Sequence, residues 1–235
     1  MNKDLEQLAQ KLVKCFEGEL VSVVLYGSAA GEDFHTQFSD FNVLCVVRAV
    51  TPGVLEDSEP VMRWWREKGN RAPLLLSENE VRNATDCFPI EFHDMLERRR
   101  ILHGTDVIEG LEIDDSFYRA QVEHELRAKM LRLRTKAAGV LFDRALLLKL
   151  MADSVTTFLV LARHALKLGG LPAPIAKREI VAALRQSLAL DSAPFETLLD
   201  VREAKAASSL DARAVFAAYL SSITHLVDFV DGLRK

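Results

Sequence analysis

The chain has 235 residues, of which 49% are hydrophobic, and its mean hydropathy is +0.05. That length allows one large domain or two modest ones, and that composition is typical of a soluble globular protein with an ample core. A net charge of −4 and a pI near 5.9 argue against a broad nucleic-acid-binding surface, though not against a local basic groove.

Three features bear on where the protein works. Residues 1–10 carry acids and no apolar stretch, so we expect no signal peptide. The uncharged run over residues 154–162 is too short to span a membrane. Cys15, Cys45 and Cys87 are odd in number and lack metal-type spacing, so we expect reduced thiols. The sequence therefore predicts a cytoplasmic protein that does not enter a membrane.

The first 110 residues alternate between helical and β-type patterns. Apolar residues at helical spacing predict a helix over 3–16, and β-type runs predict strands over 20–26 and 41–48. Between these strands, residues 27–31 are predicted to start a short helix. The later elements are a helix over 54–68, a capping box at Ser77 and Glu80, and short strands over 73–76, 88–92 and 99–103.

Beyond residue 110 glycine becomes rarer and aliphatic residues at helical spacing take over. This pattern predicts five helices, over residues 116–138, 141–168, 176–189, 194–207 and 211–233. The second of them is the most apolar, so we expect it at the centre of a helical bundle. The sequence thus predicts an α/β (α+β) domain over residues 1–110, followed by an all-α bundle over residues 111–235.

The stretch with the most chemical content is residues 21–48, where two strands flank a Gly-Ser pair and a polar loop. Gly27 and Ser28 follow the first strand, and small residues there let a phosphate approach backbone N–H groups at a helix start. Asp40 and Asn42 open the second strand and point to one face, because side chains alternate along a strand. A carboxylate and an amide oxygen are therefore predicted side by side.

This stretch resembles the signature of the DNA polymerase β-like nucleotidyltransferase superfamily. The matching residues are Tyr-Gly-Ser at 26–28 and, after eleven more, Asp-Phe-Asn-Val at 40–43. The layout of the chain resembles the aminoglycoside adenylyltransferases and kanamycin nucleotidyltransferase, which carry a C-terminal helical bundle. The resemblance implies a nucleotidyltransferase-like domain with a mixed sheet. The sequence departs from the signature at Asn42, where the family has a second acid.

The resemblance also implies an activity, the Mg²⁺-dependent transfer of a nucleotidyl group from an NTP to a hydroxyl acceptor. Asp40 would be a catalytic metal ligand, and Asn42 would assist it as a ligand of the metal and the phosphates. Gly27 and Ser28 would bind the phosphates. The identity of the acceptor does not follow from the sequence.

In this superfamily a third acid comes from a neighbouring strand and serves as metal ligand or general base. Glu91, in the predicted strand 88–92, is the best match and is expected to be both a catalytic residue and a metal ligand. On that strand His93 would share its face and Asp94 would point the other way, so Asp94 is the runner-up. The alternative is that Glu91 is a strand-end charge that faces solvent.

Basic residues could supply further substrate contacts. Arg127 and Arg134, on the predicted helix 116–138, could face a cleft and contact phosphate or an anionic substrate. Salt bridges along a solvated helix are the competing explanation, since Glu123 precedes Arg127 by four positions. The run Arg98–Arg100 is predicted to be a surface turn, with the mouth of the cleft as the alternative.

Asn42 leaves two functions open. An amide oxygen can bind a hard cation but brings no charge, so the protein is either a nucleotidyltransferase with a weakened metal site or a non-catalytic protein of that fold that binds a nucleotide or a partner. A nucleic-acid polymerase is disfavoured by the acidic pI and the lack of a basic, aromatic-studded groove. Trp64 and Trp65 place one large ring near the surface, which is compatible with an oligomer.

Overall fold

The computed structural model describes residues 2–31, 41–205 and 209–233. The chain divides into two compact units, Met1–Asp115 and Ser116–Lys235. The first unit is built on a β-sheet, whereas the described residues of the second unit form helices and the turns between them.

Within its described residues the first unit pairs a four-stranded sheet with four α-helices. The strands are β1 Leu20–Tyr26, β2 Asn42–Val47, β3 Leu74–Ser77 and β4 Arg99–Gly104. The helices are α1 Lys3–Phe16, α2 Pro52–Glu67, α3 Glu78–Asn83 and α4 Pro89–Glu97. All but one of the strands predicted from the sequence are confirmed.

The sheet is mixed, as expected, and its strand order is β3-β2-β1-β4. β1 runs antiparallel to both β2 and β4, while β2 runs parallel to β3. At one end of the sheet Tyr26, the last residue of β1, lies opposite Asn42 of β2 and Arg99 of β4. Three strand ends therefore lie in one row, and the segments that enter or leave them meet there.

Both faces of the sheet are buried, which explains the nearly continuous apolar runs of β1 and β2. Val23 and Cys45 point to one face and pack in a core with α1 and α2. Val24 and Leu44 point to the other face and pack in a second core with α3 and α4, to which α4 contributes Phe92. Each aliphatic side chain buried in this way stabilises the fold by about 1.5–3 kcal/mol.

The predicted strand over residues 88–92 is wrong, because this segment begins the helix α4. Pro89 occupies the first turn of the helix, where its missing N–H costs no hydrogen bond. The buried residues Pro89, Phe92 and Met95 recur every three positions, which fits a helix. A short apolar run such as Phe-Pro-Ile-Glu-Phe does not distinguish a strand from a helix. The helical period becomes visible only with the apolar residues that follow this run.

Two local predictions in the first unit are confirmed. The hydroxyl of Ser77 accepts a hydrogen bond from the Glu80 N–H at 3.2 Å, and the Glu80 carboxylate accepts one from the Ser77 N–H at 2.7 Å, so the capping box starts α3. Trp65 is fully buried and Trp64 is half-buried. Two lysine ammonium groups lie over the Trp64 ring, 4.9 and 5.2 Å from its centroid.

Within its described residues the second unit contains five α-helices, as the sequence predicts. They are α5 Tyr118–Ala138, α6 Arg144–Leu168, α7 Lys177–Leu188, α8 Ala193–Arg202 and α9 Ala212–Gly232. α6 packs against each of the other four and is the centre of the bundle, also as predicted. Asp143 caps α6, because its side chain accepts a hydrogen bond from the Leu146 N–H at 2.9 Å.

Aromatic rings fill the core around α6. Phe158 and Phe195 both meet the ring of Tyr219 edge to face, with centroids 5.8 and 5.3 Å away. Such pairs stabilise a core by about 0.5–1.5 kcal/mol beyond the area that they bury. The Tyr219 hydroxyl lies 3.1 Å from the Ser154 hydroxyl, so this buried polar group has a hydrogen-bond partner.

Two helices of the described chain, α6 and α9, are long and apolar enough to cross a membrane by length and composition alone. Both pack against other helices of the second unit. The core helix of a soluble bundle passes the same test, so this finding is weak support for membrane insertion.

Candidate functional site at one end of the sheet

The polar residues singled out in the sequence lie around the end of the sheet where β1 stops. The chain leaves β1 through a short 3₁₀ helix, Gly27–Ala30, and continues to Gly31. We call residues 27–31 the glycine turn. It lies next to the first residue of β2 and to the segment that joins α4 to β4.

Gly27 is required by both its backbone angle and its surroundings. Its φ of +74° lies in the region that favours glycine, and a Cβ there would come within 3.2 Å of the side-chain nitrogen of Asn42. The N–H of Gly27 donates to the carbonyl of Arg98 at 3.0 Å. That N–H is therefore engaged at the edge of the sheet, and what Gly27 contributes to the turn is its conformation and the room that it leaves for Asn42.

Ser28 is the exposed residue of the glycine turn, while Ala29 is buried beneath it. In a helix of this kind the first N–H groups have no partner within the helix. Ser28 supplies such a group, and its hydroxyl is a second hydrogen-bond donor. The turn thus offers hydrogen-bond donors of the kind that bind phosphate oxygens.

Asn42 is half-buried and points to the α4 side of the sheet, since it alternates in step with Leu44 and Val46. Tyr26, its partner across the ladder, packs on the same side. Asp40 lies outside the described residues, so its place as the principal metal ligand stays a prediction.

Glu91 lies in the first turn of α4, half-buried, with its Oε2 atom screened from solvent. Burial raises the pKa of Tyr26 to about 12, and the negative charge of Glu91 adds to the rise while Arg71 opposes it. The carboxylate of Glu91 is therefore close enough to act on the phenol of Tyr26, the residue that lies opposite Asn42 in the sheet. Tyr26 keeps its proton near neutral pH.

The helical form of α4 changes which side chains accompany Glu91. Residues three apart share a helix face, so Asp94 lies near the face of Glu91 and His93 does not, the reverse of what the predicted strand implied. His93 Nε2 lies 2.7 Å from an oxygen of Asp115. Asp94 remains the alternative to Glu91 as the third acid.

The run Arg98–Arg100 is not a surface turn, because it leads into β4. Arg99 donates two hydrogen bonds to Asp106, at 3.0 and 2.8 Å. Arg98 is half-buried, and its guanidinium lies where a side chain on Gly31 would be. Arg98 is therefore a cation beside the glycine turn. The sequence had offered a position at the mouth of a cleft as the alternative for this run.

The oxygen donors at this end of the sheet suit a hard cation. Mg²⁺ is usually held by one or two carboxylates together with substrate phosphates. Among residues 2–31, 41–205 and 209–233 no group of three His, Cys, Asp or Glu side chains forms a metal site. Glu91 supplies a screened carboxylate oxygen and Asn42 an amide oxygen on the same side of the sheet, and both are types of donor that bind Mg²⁺.

In the second unit Arg127 is held by carboxylates. Its guanidinium donates to Glu123 at 2.7 Å and lies 3.6 Å from Asp231, and the hydrogen bond to Glu123 raises the pKa of Arg127. Lys129 pairs with Glu125 at 3.2 Å. The salt bridges expected along this helix are confirmed, while substrate contact by Arg127 stays a prediction.

Arg134 is exposed and lines an open groove of about 610 Å³ formed by residues of α5 and α9. Thr224, His225 and Asp228 are among the polar residues on the α9 side of this groove. Substrate contact by Arg134 likewise stays a prediction.

Comparison with known proteins identifies the fold. No protein-family model matches the chain, and no curated protein matches its sequence. The crystal structure of spectinomycin adenyltransferase AAD(9) from Enterococcus faecialis with ATP and spectinomycin matches with a TM-score of 0.63, over 98% of this chain and 100% of that chain, at 13% identity. The fold is that of a nucleotidyltransferase. At this identity the likeness shows the nucleotidyltransferase fold alone, with its mixed sheet and helical C-terminal region.

Proposed function

We propose that this protein transfers a nucleotidyl group from an NTP to a hydroxyl group on an acceptor, in a reaction that depends on Mg²⁺. The observation that carries the proposal is the grouping of the glycine turn, Asn42 and Glu91 at one end of the sheet in a nucleotidyltransferase fold. The structural relative was solved with ATP and spectinomycin, a nucleotide and a small hydroxylated acceptor.

Each side chain has a role that its chemistry permits. Ser28, through its backbone N–H and its hydroxyl, would hold the outgoing phosphates, and Gly27 would give them room to approach. Asp40, Asn42 and Glu91 would hold Mg²⁺, which offsets the negative charge of the triphosphate when bound. Because Asn42 is neutral, the site has one negative charge fewer than a site with two motif acids, so we expect weak binding of the metal–nucleotide complex.

The transfer itself requires one proton to move. The acceptor oxygen forms a bond to the α-phosphorus, the bond between that phosphorus and the bridging oxygen breaks, and pyrophosphate leaves. Glu91 would take the proton of the acceptor hydroxyl on its carboxylate, which lies at the required end of the sheet and is partly screened from water. A hydroxylated small molecule is the acceptor that we propose.

The test is a transfer assay with α-labelled NTPs, Mg²⁺ and a panel of acceptors that begins with spectinomycin. We expect label on an acceptor and release of pyrophosphate, both abolished by EDTA. Asn42→Asp should raise the rate about tenfold or more, because it restores a charge at the metal. Asp40→Asn should abolish transfer, and Asp57→Asn, which removes a charge from α2, is the matched control.

Calorimetry with ATP and Mg²⁺ separates the remaining outcomes. If neither the wild type nor the Asn42→Asp variant binds nucleotide, the proposal is wrong. Binding without transfer by either form, across the acceptor panel, would instead support the non-catalytic nucleotide-binding protein that Asn42 leaves open.

A further inference from the structure

Arg98 is fixed against the glycine turn through its backbone. It follows the last residue of α4, and its N–H donates to the Asp94 carbonyl at 3.1 Å. Its own carbonyl accepts the N–H of Gly27 at 3.0 Å. The hydrogen bonds on both sides of Arg98 therefore hold its Cα next to the start of the turn.

The side chain of Arg98 reaches the other end of the same turn. A Cβ on Gly31 would overlap the guanidinium of Arg98, so this guanidinium lies directly against the Gly31 backbone. The φ of Gly31 is −92°, an angle that any residue adopts. The backbone would thus permit a side chain at position 31, but that side chain would have to displace the guanidinium of Arg98.

The two ends of the glycine turn have different neighbours. The Gly27 end adjoins Asn42, where the metal and the reacting phosphorus would lie. The Gly31 end adjoins the guanidinium of Arg98. A nucleotide whose phosphates follow the turn from Gly27 towards Gly31 would therefore bring its outer phosphates to Arg98.

We propose that Arg98 binds the β- and γ-phosphates of the NTP and stabilises the leaving pyrophosphate. A planar guanidinium donates paired hydrogen bonds to phosphate oxygens, which makes arginine well suited to this contact. The next residue, Arg99, is engaged by both oxygens of Asp106 and has a structural role. This inference rests on the proposed function, because it presupposes a nucleotide on the turn.

The test compares ATP, pyrophosphate and AMP as competitors of a fluorescent ATP analogue, with Mg²⁺ present. Arg98→Ala should weaken the binding of ATP and of pyrophosphate about tenfold or more, which is the range for a lost charge-assisted hydrogen bond. The binding of AMP should weaken less than about twofold. Arg100→Ala is the matched control, because it removes the same charge from an exposed position in β4. Circular dichroism melts check that each variant is folded.

A second variant moves the guanidinium without removing it. Gly31→Ala places a methyl group where the guanidinium of Arg98 lies, so it should weaken ATP binding to a similar degree. Gly18→Ala is its control: the added methyl group meets no neighbouring atom and should leave ATP binding unchanged. The double variant of Gly31 and Arg98 should bind ATP no more weakly than Arg98→Ala alone, since both changes remove one contact.

The outcomes separate this inference from the proposed function. If the wild type binds no nucleotide, the proposed function and this inference fail together. If the wild type binds ATP and the Arg98 and Gly31 variants bind it equally well, the role of Arg98 is wrong while the proposed function stands. Equal weakening of ATP and AMP would also overturn the role of Arg98, because it would indicate a general loss of the site.

Discussion

One group of charged side chains in each unit invites comparison: the salt bridges of the helical bundle and the charges near the glycine turn. In the second unit Arg127 is hydrogen-bonded to Glu123, and Arg178 is bonded to both Asp200 and Glu203 at 2.8 Å. In the first unit Arg98 lies against the glycine turn, and the charge of Glu91 acts on Tyr26, the residue before that turn. Arginine–carboxylate pairs such as Arg127 with Glu123 stabilise helices. Charged side chains beside a backbone turn are instead typical of a site for an anionic ligand.

This contrast predicts that changes in the second unit alter stability and changes at the end of the sheet alter activity. The ring of Phe158 in α6 is 1% exposed, so Phe158→Ala has the largest expected effect. It should lower the free energy of unfolding by about 3–5 kcal/mol, because it leaves a cavity beside Tyr219. Far-UV circular dichroism in a urea titration measures the change.

Phe142→Ala is the control, because the ring of Phe142 in the same unit is 87% exposed and its loss should leave stability nearly unchanged. Both tryptophans of the chain, Trp64 and Trp65, lie in the first unit, so their fluorescence in the same titration follows that unit separately. If Phe158→Ala destabilised the protein no more than Phe142→Ala, the aromatic core around α6 would not have the importance that its burial indicates.

The second prediction concerns the end of the sheet. Glu91→Gln keeps the shape of the side chain but removes the base, so nucleotidyl transfer should fall about a hundredfold or more, which corresponds to about 2.7 kcal/mol in the barrier. Unfolding in urea should change little. Pyrophosphate release under saturating ATP and acceptor is the measurement.

Asp94→Asn is the matched change one helical turn away on α4. It should reduce transfer far less than Glu91→Gln does. The opposite ranking of the two variants would assign the role of third acid to Asp94, and it would show that the charge that acts on Tyr26 is not the catalytic one.

Much of the fold could be predicted from the sequence because periodicity reflects burial. The continuous apolar runs of β1 and β2 predicted strands, and those runs are buried on both faces. α4 was missed because residues 88–92, its N-cap and first four residues, form too short a run to distinguish the two periods. That error also reversed the expected neighbours of Glu91, because residues two apart share a face in a strand and residues three apart do so in a helix.

The candidate site was only partly predictable. Gly27, Ser28 and Asn42 could be proposed from the sequence because they lie in or directly beside the strands that position them. Arg98 and Gly31 lie far apart in the chain and are brought together by the pairing of β1 with β4, which no local pattern encodes. The sequence offered the run Arg98–Arg100 only as an alternative lining of a cleft mouth, and nothing in it linked Arg98 to Gly31.

The smallest expected effect concerns the salt bridges of the second unit, which the comparison assigns to the stability of the protein. Glu123 accepts hydrogen bonds from Arg127 at 2.7 Å and from Arg119 at 2.9 Å, and its side chain is 19% exposed. Glu123→Gln should therefore lower the free energy of unfolding at pH 7 by about 0.5–1 kcal/mol, a value that allows for screening by solvent. Glu125→Gln, which breaks only the 3.2 Å pair with Lys129, should cost less.

The pH dependence of this difference decides whether the charge of Glu123 is responsible. The hydrogen bond from Arg127 holds the pKa of Glu123 below its ordinary value of 4.5 in the folded protein. A carboxyl group with a lowered folded pKa stabilises the protein above its unfolded pKa and loses that contribution as the pH falls through the folded value. The gap between wild type and Glu123→Gln should therefore be constant near neutral pH and shrink below about pH 4.5. If the difference in the free energy of unfolding between wild type and Glu123→Gln persisted in acid, Glu123 would act through packing rather than through its charge. The contrast between charges that stabilise helices and charges beside a ligand site would then not hold for Glu123.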